Sequence, residues 1–359
     1  MSWDLIVKRE KHLGVITLNR PKALNALTMG MIEGIYNQLQ AWKHDPEIHA
    51  VVICSVVANI FCAGGDVRWL YDSGRNKDPK QLEFFNKEYK LNQLIHDYPK
   101  PYIALMDGVT MGGGVGISLH GSHPVASENF SFAMPETTIG FFPDIGSSYL
   151  LARCPDNFGI YLGLVGDRVN AVDAKKLGLV KYCISAKEFP EIIANLAKLD
   201  LTINAADKVD SCLSKFNHVE LKSEILDLKK YVNETFAKNS VEEIFDALKN
   251  GDTDWHKTTL QKLAKKSPLS LKVTLEQLRK VGSGSLQDAL NMDTCLVSHF
   301  MQNNDFYEGV RALLIDKDKS PKWVPKSIDE VSRSMVEEYF IRTYAPTKIR
   351  VIASDNEAI

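Results

Sequence analysis

Residues 50–57 read AVVICSVV, an unbroken apolar run rich in β-branched side chains. A strand of this kind has no polar face to offer water, so it needs cover on both sides. That demand points to a parallel sheet flanked by helices, and YIALMDG at 102–108 makes it a second time. Helical periods lie between and around these runs. Thr28 can cap a helix in which Ile32, Ile35, Leu39 and Trp42 recur at three- and four-residue steps as far as Asp45-Pro46. A further helix is expected around 79–97, and WDLIVK (3–8) with LGVITLNR (13–20) predicts an opening hairpin. Strand and helix alternate, which predicts an α/β fold. After about residue 190 the texture turns helical, as in ELKSEILDLKKYV and SVEEIFDALKN, with GSGS at 282–285 as a turn. The expected division is a core over 1–190 and a helical region over 191–359 packing on it.

The bulk numbers exclude several function classes. A net charge of −2 offers no field for nucleic acid or an anionic membrane. No apolar run reaches the length of a membrane span. Nine histidines show no paired ligand spacing and six cysteines show no C-x-x-C, so no metal site is expected and the thiols read as reduced. The opening MSWDLIVKREKHLG has neither an apolar signal segment nor an Arg- and Ser-rich targeting helix, so the expected location is cytoplasmic.

The chemistry is concentrated in glycines and acids. FCAGGD (61–66) follows the first buried run, and MGGGVG (111–116) follows the second and opens a helix. Such clusters are either tight turns or places where an oxygen approaches the main chain. They match neither the dinucleotide fingerprint nor the phosphate loop. Two N–H donors aimed at one oxygen suit acyl transfer or enolate chemistry. MPETTIGFFPD (134–144) then sets Glu136 and Asp144 in apolar surroundings, where acids rarely lie without a partner or a task. Read locally, Asp144 is either a cap for a helix starting at Ile145 or a pocket carboxylate. Glu88, in mid-helix, is either a solvated acid or a pocket group. Cys62, His120 and His123 read as packing residues, and the lysines near 262–280 as solvated helix faces.

LNRPKALNAL (18–27), FCAGGD, TMGGGVGISLHG (110–121) and MPETTIGFFPD, in that order, resemble the crotonase, or enoyl-CoA hydratase/isomerase, superfamily. EYKLNQLI (88–95) and DFYEGVRALLIDKDKSPKW (305–323) resemble its 3-hydroxyisobutyryl-CoA hydrolase branch. The resemblance implies a ββα spiral core that binds acyl-CoA, with a helical C-terminal region. It places an oxyanion between the N–H groups of Gly65 and Gly113. It implies CoA contacts at Lys22, Ala23, Leu24, Ala63, Gly64 and Asp66, and an acyl pocket lined by Glu88, Gly113, Glu136 and Asp144.

Hydratases of the family carry a Glu at the position of Gly116 and usually a glycine at that of Asp144. The pair of acids has moved. The resemblance therefore implies hydrolysis of a short 3-hydroxyacyl-CoA thioester, as in valine breakdown. Glu136 would activate water or attack the thioester, and Asp144 would hold the 3-hydroxyl. CoA is then part of the substrate, with no separate cofactor. The partner is a small acyl-CoA, with neither nucleic acid nor membrane, and a homo-oligomer stays open. A hydratase or isomerase on the same scaffold, or a catalytically silent CoA-binding protein, are the alternatives.

Overall fold

The apolar runs become strands with cover on both faces. The computed structural model describes residues 3–342, so the last part of the expected helical region, 343–359, lies outside the described residues. The strands are β1 (Leu5–Glu10), β2 (Leu13–Leu18), β3 (Ala50–Ser55), β4 (Ile60–Cys62), β5 (Tyr102–Met106), β6 (Val109–Met111), β7 (His123–Ala126), β8 (Ser131–Ala133) and β9 (Tyr182–Cys183). A six-stranded sheet runs β1-β2-β3-β5-β7-β9 and a three-stranded sheet runs β4-β6-β8. Among the pairings between these strands, only the β1–β2 hairpin, with Leu5 opposite Leu18, is antiparallel. Alternation along β3 explains the unbroken run: Val51 and Ile53 enter one apolar cluster, while Ala50 and Val52 enter another behind the sheet.

The chain advances by a repeated unit. β3 leads into β4, β5 into β6, and β7 into β8, each time stepping from the large sheet to the small one and then into helix. The helices that matter for the site are α1 (Met29–His44), α2 (Val67–Arg75), α3 (Lys80–His96) and α4 (Gly113–Gly116). Thr28 caps α1 by accepting from Met31 N–H, and Ile32, Ile35, Leu39 and Trp42 form its buried face. Burying each such side chain contributes about 1.5–3 kcal/mol.

Among the described residues no strand follows β9, and helices fill the chain from Phe189 onward. The helices Pro268–Val281 and Leu286–Phe300 meet at the expected 282–285 turn, where Ser285 and Asp288 form a capping box. Their Leu271, Leu275, Leu290 and Phe300 join the cluster built around β3 and α1. The small sheet and α2 lay outside the sequence expectation. Three-residue strands carry no period to read, and α2 has only Leu70 and Ser73 buried.

Asn25 ties the first turn to both sheets. Its Nδ2 donates to Ser55 Oγ at 2.8 Å and to Phe61 O at 2.9 Å, and its Oδ1 accepts from Arg20 N–H at 2.8 Å. It is buried with φ +55°, a conformation Asn tolerates better than most residues. Asn25→Ala should therefore lower unfolding stability by about 2–4 kcal/mol, because buried partners lose their hydrogen bonds. Urea denaturation followed by circular dichroism measures this, and an unchanged midpoint would remove Asn25 from that role.

Candidate active site

Each strand of the small sheet ends in a motif that carries chemistry. β4 runs into Ala63-Gly64-Gly65, β6 into Gly112-Gly113, and β8 into Met134-Pro135-Glu136. Because the three strands are parallel neighbours, these turns leave the sheet side by side at one edge. Ligand clefts of open parallel sheets form at that edge. Here it opens into a cavity of about 160 Å³ whose lining includes Gly65, Gly113, Glu88, Glu136 and Asp144. Phe84, Phe85, Phe141, Phe306 and Leu313 supply apolar wall. A broader open groove of about 580 Å³ lies by Arg20, Asp66, Trp69 and Lys87, but its acids are not buried, and the chemistry belongs to the smaller space.

The two glycine turns present main-chain donors. Leu27 N–H donates to Gly64 O at 2.8 Å and Asp66 N–H to Leu27 O at 2.9 Å, leaving the intervening Gly65 N–H without an acceptor among the described residues. Gly113 opens α4, where a first-turn N–H has no intrahelical acceptor. A Cβ on Gly113 would stand 3.4 Å from the Gly65 nitrogen and would overlap Glu88 Oε1. A side chain at this position would displace the Glu88 carboxylate. Two adjacent donors on a cavity wall can hold one carbonyl oxygen as it gains negative charge.

Three acids share the cavity with them, Glu88 against Gly113 and Glu136 against Gly112. Glu88, Glu136 and Asp144 are 2%, 7% and 5% exposed. Glu88 Oε1 and Glu136 Oε2 have no hydrogen-bond partner among the described residues, while Asp144 Oδ2 accepts from the Tyr89 hydroxyl at 2.9 Å. Burial pushes Asp144 up to about 7, against the opposing pull of Tyr89. Burial first, and then the charge of Asp144, raises Glu88 and Glu136 well above the usual carboxylate range. Lys266 is buried on the far side of the Glu136 turn, with Nζ 2.7 Å from Thr138 Oγ1. Burial lowers it to about 8, and its positive charge in turn draws Glu136 down.

Three local readings resolve here. Asp144 does not cap a helix: the helix Ser147–Leu151 has Gly146 at its N-cap and no side-chain cap bond. Glu88 is no solvated acid, because α3 turns it towards the glycines. Lys266 departs from the expectation of solvated lysines over 262–280, since the chain folds it under Thr138 before the next helix begins. Cys62 and the histidines are packing residues as expected. The Cys62 thiol donates to Asn25 O at 3.0 Å and is pushed up to about 12 by burial. His120 contacts Ile145 O, and His123 faces Asp210.

The residues given to CoA by resemblance divide. Ala63 and Gly64 line the cavity. Lys22, Ala23 and Leu24 lie outside it on the turn at Pro21–Ala23, joined to its rim where Ala63 N–H donates to Leu24 O at 3.1 Å. Asp66 has both carboxylate oxygens engaged, Oδ1 in capping α2 through Trp69 N–H at 3.1 Å and Oδ2 with Arg20 at 2.8 Å.

At Gly116, the position of the hydratase Glu, the space is filled. A Cβ there would meet Asn92 Nδ2 at 2.6 Å. Asn92 is one helical turn from Glu88 on α3, fully buried, with both amide atoms unpartnered among the described residues. Sequence reasoning missed Tyr89, Asn92, Lys266 and Leu313, whereas Phe306 is pocket wall, as the phenylalanines were expected to be core or wall. Tyr89 and Asn92 sit inside the EYKLNQLI segment, and their spacing from Glu88 was the available signal. Lys266 sits in a lysine run and carried none.

A small cavity with paired main-chain donors facing buried acids defines a site for activating an acyl carbonyl. The enoyl-CoA hydratase/isomerase family model matches residues 13–340, and the chain belongs to that family. It is 46% identical over 331 residues to the mitochondrial 3-hydroxyisobutyryl-CoA hydrolase of Xenopus tropicalis, covering 91% of this chain and 86% of the relative. The human protein of the same name is 39% identical over 343 residues, covering 94% and 88%. Among solved structures, a carnitinyl-CoA dehydratase from Mycobacterium thermoresistibile superposes with TM-score 0.89 at 34% identity, over 96% of this chain and 98% of that one. An enoyl-CoA hydratase from Rhodobacter sphaeroides gives 0.88 at 34%, over 94% and 97%. The crotonase-type α/β fold is thereby established. The cytoplasmic expectation is not kept, because these hydrolase relatives are named mitochondrial.

The electrostatics make a paired prediction. If Glu136 works ionised, the rate rises with pH as it loses its proton. Asp144→Asn removes a charge that raises Glu136, so this rising limb should move to lower pH. Lys266→Met removes a charge that lowers Glu136, so the limb should move to higher pH. Profiles of kcat/KM for the two variants check this, and shifts of the same sign would exclude Glu136 as the titrating group.

Proposed function

We propose that this protein hydrolyses short 3-hydroxyacyl-CoA thioesters, with 3-hydroxyisobutyryl-CoA as its substrate, releasing CoA and the 3-hydroxy acid. The carrying observation is the placement of the acids: Asp144 joins Glu136 and Glu88 in the cavity, while Asn92 occupies the space over Gly116. The names of the relatives at 39–46% identity support the same reading.

The carbonyl oxygen is held by the Gly65 and Gly113 N–H groups. Glu136 starts the reaction, either by taking a proton from water as its oxygen bonds to the carbonyl carbon, or by bonding to that carbon itself. The carbon–sulfur bond breaks and the thiolate leaves. On the first route it takes up the proton that Glu136 removed from water. On the second, water adds to the resulting Glu136 anhydride, which frees the acid, restores the carboxylate and supplies the proton to the thiolate. Asp144, with a proton affinity near neutrality, accepts or donates a hydrogen bond at the substrate 3-hydroxyl. CoA enters as part of the substrate.

Hydration is the second reading, favoured by the names of the solved structures at 34% identity. One assay separates the two: hydrolysis releases free thiol, whereas hydration changes enoyl absorbance without it. Thiol release from 3-hydroxyisobutyryl-CoA is expected, and Glu136→Gln should lower it about 10²–10⁴-fold, as loss of a general base does. Enoyl consumption with no thiol release would reject hydrolysis.

Asp144 allows a sharper test. Asp144→Asn should hurt the 3-hydroxyacyl thioester far more than the matching acyl thioester lacking the hydroxyl. A hydrogen bond to a charged group contributes about 1.5–3 kcal/mol, so selectivity between the two should fall roughly ten- to a hundred-fold. Ratios of kcat/KM for both thioesters measure it, and an unchanged ratio would take the 3-hydroxyl away from Asp144.

A further inference from the structure

The turn that carries Asp144 is strained, and it is held from three sides. Ile145 has φ +55°, an uncommon conformation for a β-branched residue, and Gly146 follows at +70°. Side chains from three separate segments fix the backbone around it. Gln277, in the helix Pro268–Val281, donates from Nε2 to Pro143 O at 3.0 Å. His120, in the segment after α4, bonds through Nε2 to Ile145 O at 2.8 Å. A carbonyl only accepts, so Nε2 carries the proton, and burial keeps the ring neutral by lowering it to about 4. Asp293, in the helix Leu286–Phe300, accepts the Gly146 N–H on Oδ2 at 2.7 Å. Its Oδ1 accepts from the same Gln277 Nε2 at 2.9 Å, which joins two of the three holds.

Asp293 and Gln277 are fully buried and line no cavity wall around the glycines. A carboxyl group in such a place is costly, and simple packing does not call for it. A strained backbone persists only where its surroundings determine it. The product of these contacts is the position of one side chain, that of Asp144, whose other anchor is the Tyr89 hydroxyl.

We propose that Asp293, with Gln277 and His120, is a positioning set that holds the Pro143–Gly146 turn so that the Asp144 carboxyl faces the acyl pocket. This rests on the reading of Asp144 as a group that meets the substrate. The helical C-terminal region then acts in the reaction through the main chain of the core, without touching the substrate at these residues.

The test is a set of double-variant cycles. kcat and KM for 3-hydroxyisobutyryl-CoA are measured for Asp293→Asn and for Gln277→Leu, each alone and combined with Asp144→Asn, with a melting curve for every protein. Asparagine in place of Asp293 turns one acceptor into a donor facing Gln277 Nε2, so the link breaks at constant volume. Misplacing a working group by about an ångström costs on the order of a hundredfold, so each single variant should lose about 10–100-fold in kcat with KM within about threefold. In the Asp144→Asn background the same changes should cost less than about threefold, because the group they position is already gone. Equal losses in both backgrounds, or an unchanged kcat in a folded single variant, would overturn the inference. So would variants that are not folded at the assay temperature, which would assign these residues to the fold. An Asp144→Asn protein with wild-type kcat/KM would instead reject the reading of the site, and the positioning set with it.

Discussion

Parallel pairing of three three-residue strands is the constraint on which the site depends. β4, β6 and β8 are too short to hold themselves, and each is carried by the longer strand that precedes it in the large sheet. Because they run the same way, their C-terminal turns emerge together. Two of those turns offer backbone nitrogens and the third offers Glu136. The acids can then be buried beside the glycines because α3 supplies Glu88 to the cavity and Tyr89 to the Asp144 carboxylate, and its Phe84 and Phe85 help close the space. Each element is ordinary, and the common direction of the strands gives the site its shape.

Much of this could be read from residues. The two apolar runs required cover on both faces, and β3 divides its side chains between two clusters as that demand implies. The four motifs in order carried the family and most of the pocket. What could not be read was of two kinds. Strands of three residues have no period, so the small sheet was invisible even though it organises the site. Residues such as Lys266 and Asp293 take their meaning from where the C-terminal helices land, and a lysine run or an acid in a helix looks the same wherever it lands. Asp144 shows the limit within a motif: a cap and a pocket acid have one local signature, and Gly146 at the helix N-cap and the Tyr89 partner of Asp144 separate them.

The C-terminal half is part of the active region. Phe306 and Leu313 form cavity wall. Asp305 accepts from Ser267 Oγ at 2.6 Å and from Val324 N–H at 2.9 Å, locking the segment before Phe306 to the start of the helix Pro268–Val281. Trp323 Nε1 donates to Lys265 O at 3.1 Å beside the buried Lys266. The segment that resembled the hydrolase branch in sequence therefore shapes the cavity and packs beside Lys266, behind the turn of Glu136.

Asn92 over Gly116 bears on the fate of a shared substrate. A 3-hydroxyacyl thioester has two exits on this scaffold, loss of water across the carbon chain or cleavage at sulfur. On the proposed reading both begin with the carbonyl oxygen at the same glycine donors, so binding alone cannot choose between them. A neutral amide wedged against α4 leaves no room for the second acid that elimination would use. On the hydrolytic reading, the branch point between two metabolic outcomes then turns on the volume of Asn92 together with the presence of Asp144.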